Sequence, residues 1–179
     1  MPVWEIIVIV GVIAAAVVAW MLIRGNQSRH LRARFGPEYD RLISEQGSRE
    51  RVEKELAARE KRISRLQIRS LERPERERFV AEWRADQARF VDDPAGAVTG
   101  ADRLIAGVMR ARGYPVADFD QRVDDISVDH ADFVQNYRNA RQIADRHKRG
   151  EASTEDLRHA MVYYRALFDD LLEFEEVKR

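Results

Sequence analysis

His130 stands between Asp129 and Asp132, and an imidazole flanked by carboxylates is a candidate cation site. The other three histidines, His30, His147 and His159, lie far from it in the chain. No pair has the HxxxH or HExxH spacing that puts two ligands on one helix face, and there is no cysteine. No metal site is therefore assigned, and Asp129 has the plainer role of a helix cap. Asp92-Asp93 and Asp124-Asp125 are the adjacent carboxylates that acid–base chemistry could use. Both pairs sit at or near expected helix ends, where capping and the helix dipole account for them. Gly96, Gly100 and Gly107 match no phosphate-binding fingerprint; within a helix they would instead let a neighbour approach closely. No nucleophile–base constellation is evident. The residues assign no catalytic side chain, no metal and no cofactor, and the expectation is a protein that is not an enzyme.

Basic residues could contact phosphates. Residues 24–69 hold 13 Lys/Arg against 7 Asp/Glu, whereas residues 70–179 are acidic, so the zero net charge conceals a split. Acids interleave the basic residues at Glu38, Asp40, Glu50, Glu53, Glu55 and Glu60, and no helix-turn-helix pattern is present. Nucleic acid is not the expected partner. The first basic cluster, Arg24, Arg29, Arg32 and Arg34, directly follows an uncharged run from Ile6 to Ile23. As a helix that run would measure roughly 27 Å, close to the hydrocarbon thickness of a bilayer. It predicts a single transmembrane anchor over residues 1–23. The arginines would hold the C-terminal part on the cytoplasmic side and attract anionic headgroups, with the N-terminus outside. Gly11, Ala15 and Ala19 recur every four residues and would form a small-residue face on the anchor.

The elements beyond the anchor all read as helices. Gly25 to Ser28 predicts a polar break, and Gly36-Pro37 a turn or helix start. Residues 24–73 form a basic juxtamembrane region and a charged helix. Its heptad positions from Val52 to Leu66 are apolar enough for a homodimeric coiled coil, although a solvated helix weakened at Gly47 fits better. From Pro74 onward, apolar residues recur with helical spacing. Phe79, Trp83, Phe90 and Val91 mark one helix, and Val98, Leu104, Ile105, Val108 and Met109 a second, capped by Asp93-Pro94 and stopped at Gly113. Asp118 opens a short third helix, Ser127 or Asp129 a fourth ending at Gly150, and Ser153 to Asp156 a fifth with a capping box. The expected fold is all-α: an N-terminal transmembrane helix, a charged linker helix, and a compact bundle of about five helices over residues 74–179.

Several strings are distinctive: Arg34-Phe35-Gly36-Pro37-Glu38-Tyr39-Asp40, Arg89 to Pro94, Arg112-Gly113-Tyr114-Pro115, Ser153 to Arg158 and Tyr164 to Leu172. Together the chain resembles a family of uncharacterised bacterial proteins with an N-terminal transmembrane helix and a helical cytoplasmic region. The resemblance implies a bacterial inner-membrane location and a helical fold, and it implies no activity. The expected function is a single-pass scaffold or adaptor that presents its helical domain to a protein partner. Trp83, Tyr114 and Tyr163 are the candidate partner surface, being aromatic residues in excess of what the core needs. The alternative is a membrane-tethered sensor with a small-ligand site inside the bundle.

Overall fold

A computed structural model describes residues 3–173, and among these it is all-α. The helices are α1 (Val3–Gln46), α2 (Arg49–Ile63), α3 (Arg73–Arg89), α4 (Pro94–Arg112), α5 (Phe119–Asp129), α6 (Ala131–Lys148) and α7 (Thr154–Glu173). The chain divides into two compact units, one up to Leu56 and one from Ala57.

In the first unit α1 is two helical stretches joined at Gly36, whose φ of 44° and ψ of −123° no L side chain adopts easily. Pro37 follows and starts the second stretch, as its fixed φ and missing N–H allow. The expected polar break at Gly25 to Ser28 is absent, because α1 continues through it. Leu31, Phe35, Tyr39, Leu42, Val52 and Leu56 are buried. The Glu53 carboxylate of α2 accepts hydrogen bonds from Ser28 Oγ, from Tyr39 Oη at 2.8 Å and from Arg49 Nε at 2.8 Å. Glu38, also buried, is gripped by the Arg41 guanidinium at 2.8 and 2.9 Å. The charged helix expected from residue 38 to 71 is not a single rod. It is interrupted at Gly47, where φ is 66°, and it ends at Ile63.

The N-terminal anchor requires correction. Among the described residues no helix is long and apolar enough to cross a membrane, so a transmembrane helix over residues 1–23 is not supported. The same helix that begins at Val3 runs on through Arg24, Arg29, Arg32 and Arg34, and its helical boundary marks off no apolar span. Gly11, Ala15 and Ala19, expected as an intramembrane face, lie exposed on α1.

The second unit is the helical bundle. α4 touches α3, α6 and α7, α6 lies along α7, and α5 packs on α6. Val98, Ala101, Leu104, Ile105, Val108 and Met109 form the buried stripe of α4. Facing them are Phe79 and Trp83 from α3, Val134 and Tyr137 from α6, and Leu157, Tyr164, Leu167, Phe168 and Leu171 from α7. The helix starts follow local chemistry. Asp93 Oδ1 accepts from Gly96 N at 2.8 Å with Pro94 in the first turn, and Asp118 Oδ1 accepts from Gln121 N at 2.8 Å. Ser153 and Asp156 form a reciprocal box, with Ser153 N to Asp156 Oδ2 at 2.8 Å and Asp156 N to Ser153 Oγ at 3.1 Å. Two boundaries differ from expectation. α3 ends at Arg89, leaving Val91 84% exposed outside the helix. Ser127 lies inside α5 with its hydroxyl on the Asp124 carbonyl at 2.6 Å, and His130 separates α5 from α6.

Gly113 stops α4 in the left-handed region with φ of 97°, and a Cβ there would lie 2.6 Å from the Gln67 carbonyl oxygen. Gly150 stops α6 with φ of 75° and open space around it. Gly150→Ala should therefore cost only the left-handed strain of about 1–2 kcal/mol. Gly113→Ala adds a backbone collision to that strain. Urea denaturation of the two variants should show Gly113→Ala distinctly less stable; equal losses would mean that the approach to Gln67 carries no weight.

Candidate functional site

Three clusters of ionisable side chains join helices of the bundle. The first surrounds Asp102 on α4. Its Oδ1 accepts from Tyr137 Oη of α6 at 3.2 Å and from Tyr164 Oη of α7 at 3.5 Å. Arg122 of α5 and Arg141 of α6 approach its Oδ2 at 3.7 and 3.6 Å. Arg122 is buried, with its guanidinium carbon 5.7 Å from the Phe119 ring centre and 5.8 Å from that of Tyr137. Burial first, and then the Asp102 charge, push both tyrosine hydroxyls far above their usual ionisation range. One carboxylate thereby ties four helices together.

The second cluster joins the last turns of α2 to α5. Arg59 Nη2 lies 2.7 Å from Asp124 Oδ1, and Arg59 Nη1 donates to Ser127 Oγ at 3.4 Å. Asp125 is fully buried, and its Oδ1 accepts from Arg62 Nη2 at 2.6 Å and from Gln121 Nε2 at 2.9 Å. Asp124-Asp125 is thus no acid–base pair, since each carboxylate neutralises a different arginine. The third cluster lies where α4 ends. Arg112, 2% exposed, donates from Nη1 to the Leu171 carbonyl at 2.9 Å and from Nε to the Arg69 carbonyl at 3.3 Å. Arg69 N–H returns a bond to the Arg112 carbonyl at 2.9 Å. Nearby, Tyr114 Oη donates to Asp129 Oδ2 at 3.1 Å, and His130 Nδ1 meets Asp170 Oδ2. Burial, reinforced by Asp129, raises the Tyr114 hydroxyl well above its usual range. The expected His130 turn is thus divided between partners on different elements. Among the described residues no group of three or more His, Asp or Glu could hold a metal ion.

The aromatic partner-surface candidates separate. Trp83 is buried, stacked on Phe168 with ring centres 4.9 Å apart and planes at 17°, and Tyr114 is buried as described. Tyr163 alone is half-buried at the surface, next to exposed Val162. Of the basic cluster, Arg24 lies 3.4 Å from Glu50 and Arg32 lies 3.2 Å from Asp40. Arg29 is exposed and Arg34 half-buried. Among the described residues, two depressions are well formed at the surface. One of about 370 Å³ lies in the first unit between α1 and α2, with Arg24, Ser28, Arg49, Glu50 and Glu53 on its walls. The other, about 570 Å³, is a groove between α3 and α4. Spacing missed Asp102, Arg122 and Asp170 because their partners are distant in sequence. Arg112 carried a signal, since it continues the Val98-Ala101-Ile105-Val108 stripe by one more turn.

No known family, curated protein or solved structure matches the chain. The resemblance to a family of anchored bacterial proteins is corrected accordingly: no family is found, and the transmembrane helix that defined it is not supported.

The buried tyrosines set an alkaline limit on the fold. Their hydroxyls stay protonated in the folded chain, whereas in the unfolded chain they ionise near 10.0. The folded state then binds more protons, so stability is fully present below that pH and falls as pH rises above it. Tyrosinate absorbance from Tyr114, Tyr137 and Tyr164 should rise only together with loss of helix. Titration of all of them before any helix is lost would contradict this.

Proposed function

We propose that the chain is an adaptor that presents its helical bundle to a protein partner at the cytoplasmic face of a cell membrane and acts by binding rather than by catalysis. The observation that supports this best is the engagement of the bundle's buried ionisable groups. Buried Asp125, Arg112 and His130 and half-buried Asp102 are each taken up by neighbouring helices or by main-chain carbonyls. Such groups hold helices in place, and what remains for function is the outer surface. Tyr163 beside exposed Val162 on α7 supplies one apolar contact there, and the α3–α4 groove a second. Both depressions are open and bordered by charge, which favours an extended protein contact over an enclosed small molecule.

For the membrane, exposed Trp4, Val12, Val18 and Met21 on α1 are followed by exposed Arg24, Arg29 and Arg32. Apolar side chains beside a basic cluster suit contact with anionic headgroups, each close cation contributing about 1 kcal/mol. The test places a photocrosslinking residue at Tyr163 of the full chain in the cells that make it, with flotation of the same extract on vesicles of anionic or neutral lipid. One specific protein crosslinked, and flotation stronger on anionic vesicles, is the expected result. No protein captured from any bundle surface would sink the adaptor reading, and flotation indifferent to lipid charge would sink the membrane part.

A further inference from the structure

The α3–α4 groove has a particular construction. α4 places Gly100 and Gly107 in its floor, where larger side chains would fill it. A Cβ at Gly107 would touch Phe79 Cε1 at 3.5 Å, and one at Gly100 would collide with the Asp86 carboxylate at 2.3 Å. The glycines thus let α3 come close and leave a shallow channel outside the contact, about 10 Å long over the seven residue steps from Phe79 to Asp86. Ala85 and Ala111 keep its edges low. A helix laid there could bring its backbone near and seat one or two apolar side chains.

Charge decides what kind of helix. Arg103 and Arg110, exposed on the α4 edge one above the other, have no hydrogen-bond or ion-pair partner. On the α3 edge Arg78 lies 3.9 Å from Glu82, a loose pair in solvent. Asp86 sits low in the groove, where desolvation raises its carboxyl above the usual range despite Arg89 and Arg103 nearby. Three cations therefore face two carboxylates, one of them sunk below the rim. A second copy of the same groove would meet like charge with like, whereas an acidic surface would find Arg110, and Arg103 with only the sunken Asp86 carboxylate near it.

We propose that the α3–α4 groove docks an acidic amphipathic helix of the partner protein, with Arg103 and Arg110 pairing to its carboxylates and the floor at Gly107 beside Phe79 receiving its small apolar stripe. This rests on the adaptor reading and names the partner's chemistry. Rim charges act mainly on encounter rate, so the contact weakens as salt rises.

The experiment uses the full chain, folded and in its native cells, carrying a photocrosslinking residue at Ala85, at Ala111 or, separately, at Tyr163. The crosslinked peptide is sequenced, not merely the captured protein. A segment from the groove positions with apolar residues three and four apart, flanked by Asp and Glu, is the expected result. Loss of that crosslink in R103E/R110E, whose melting and helix content stay unchanged because both residues are exposed, is expected with it, as is a decline with added salt. Capture of a second copy, of a segment without acids, or a yield indifferent to both R103E/R110E and salt would overturn the proposal. Capture at Tyr163 with none at Ala85 or Ala111 overturns the groove and leaves the adaptor reading standing. No capture anywhere overturns both.

Discussion

A guanidinium that is 2% exposed must have its donors satisfied by the protein, since water cannot reach it. Arg112 meets that demand by spanning three segments: the end of α4 that carries it, the Leu171 carbonyl near the end of α7, and the Arg69 carbonyl before α3. The return bond from Arg69 N–H to the Arg112 carbonyl closes the link. Gly113, immediately beyond, can turn the chain there only because it lacks a side chain against Gln67. Helix end, connecting segment and neighbouring helix are thus located by one buried charge, and the apolar faces of α4 and α7 meet in the register this tie allows.

The same principle recurs at the other polar clusters. Asp102 receives hydroxyls from α6 and α7 and guanidinium groups from α5 and α6, so its charge is shared among helices whose apolar contacts alone could slide. Arg59 and Arg62 do this for the last turns of α2 against α5. Buried charges of this kind contribute little net stability, because desolvation offsets much of the attraction. Their value lies in the misregistered alternatives they make costly, each of which would strand a charge in the core.

What could be read from the chain alone divides along the same line. Helix starts at Pro74, Asp93-Pro94, Asp118 and Ser153, and stops at Gly113 and Gly150, were legible because each is decided within a few residues. The apolar stripes of α4 and α7 were legible by period. The boundary of α6 was not, because Asp129 is drawn to Tyr114, fifteen residues away, instead of capping the helix that follows. Trp83 and Tyr114 were candidates for a partner surface with core packing as their plainer role, and stacking on Phe168 and bonding to Asp129 give them partners no local pattern reveals. The pairs that define the clusters lie farther apart still, up to 68 residues for Arg59 and Ser127.

The N-terminal anchor and the charged helix beyond it were both read from composition carried over a long window. The anchor is not supported, since the helix that begins at Val3 runs on into the basic cluster, and the charged segment is divided at Gly47. Gly36 breaks α1 with a backbone geometry that composition does not register, and Gly47 ends α1 just before the Val52–Leu66 heptad positions, whose helix stops at Ile63. Val52 and Leu56 then serve as buried residues of a short helix, and their seam spacing is used within one chain, where the notional dimer would have used it between two. A heptad pattern states only that a face is apolar; the turns on either side determine whether that face meets its own chain or another.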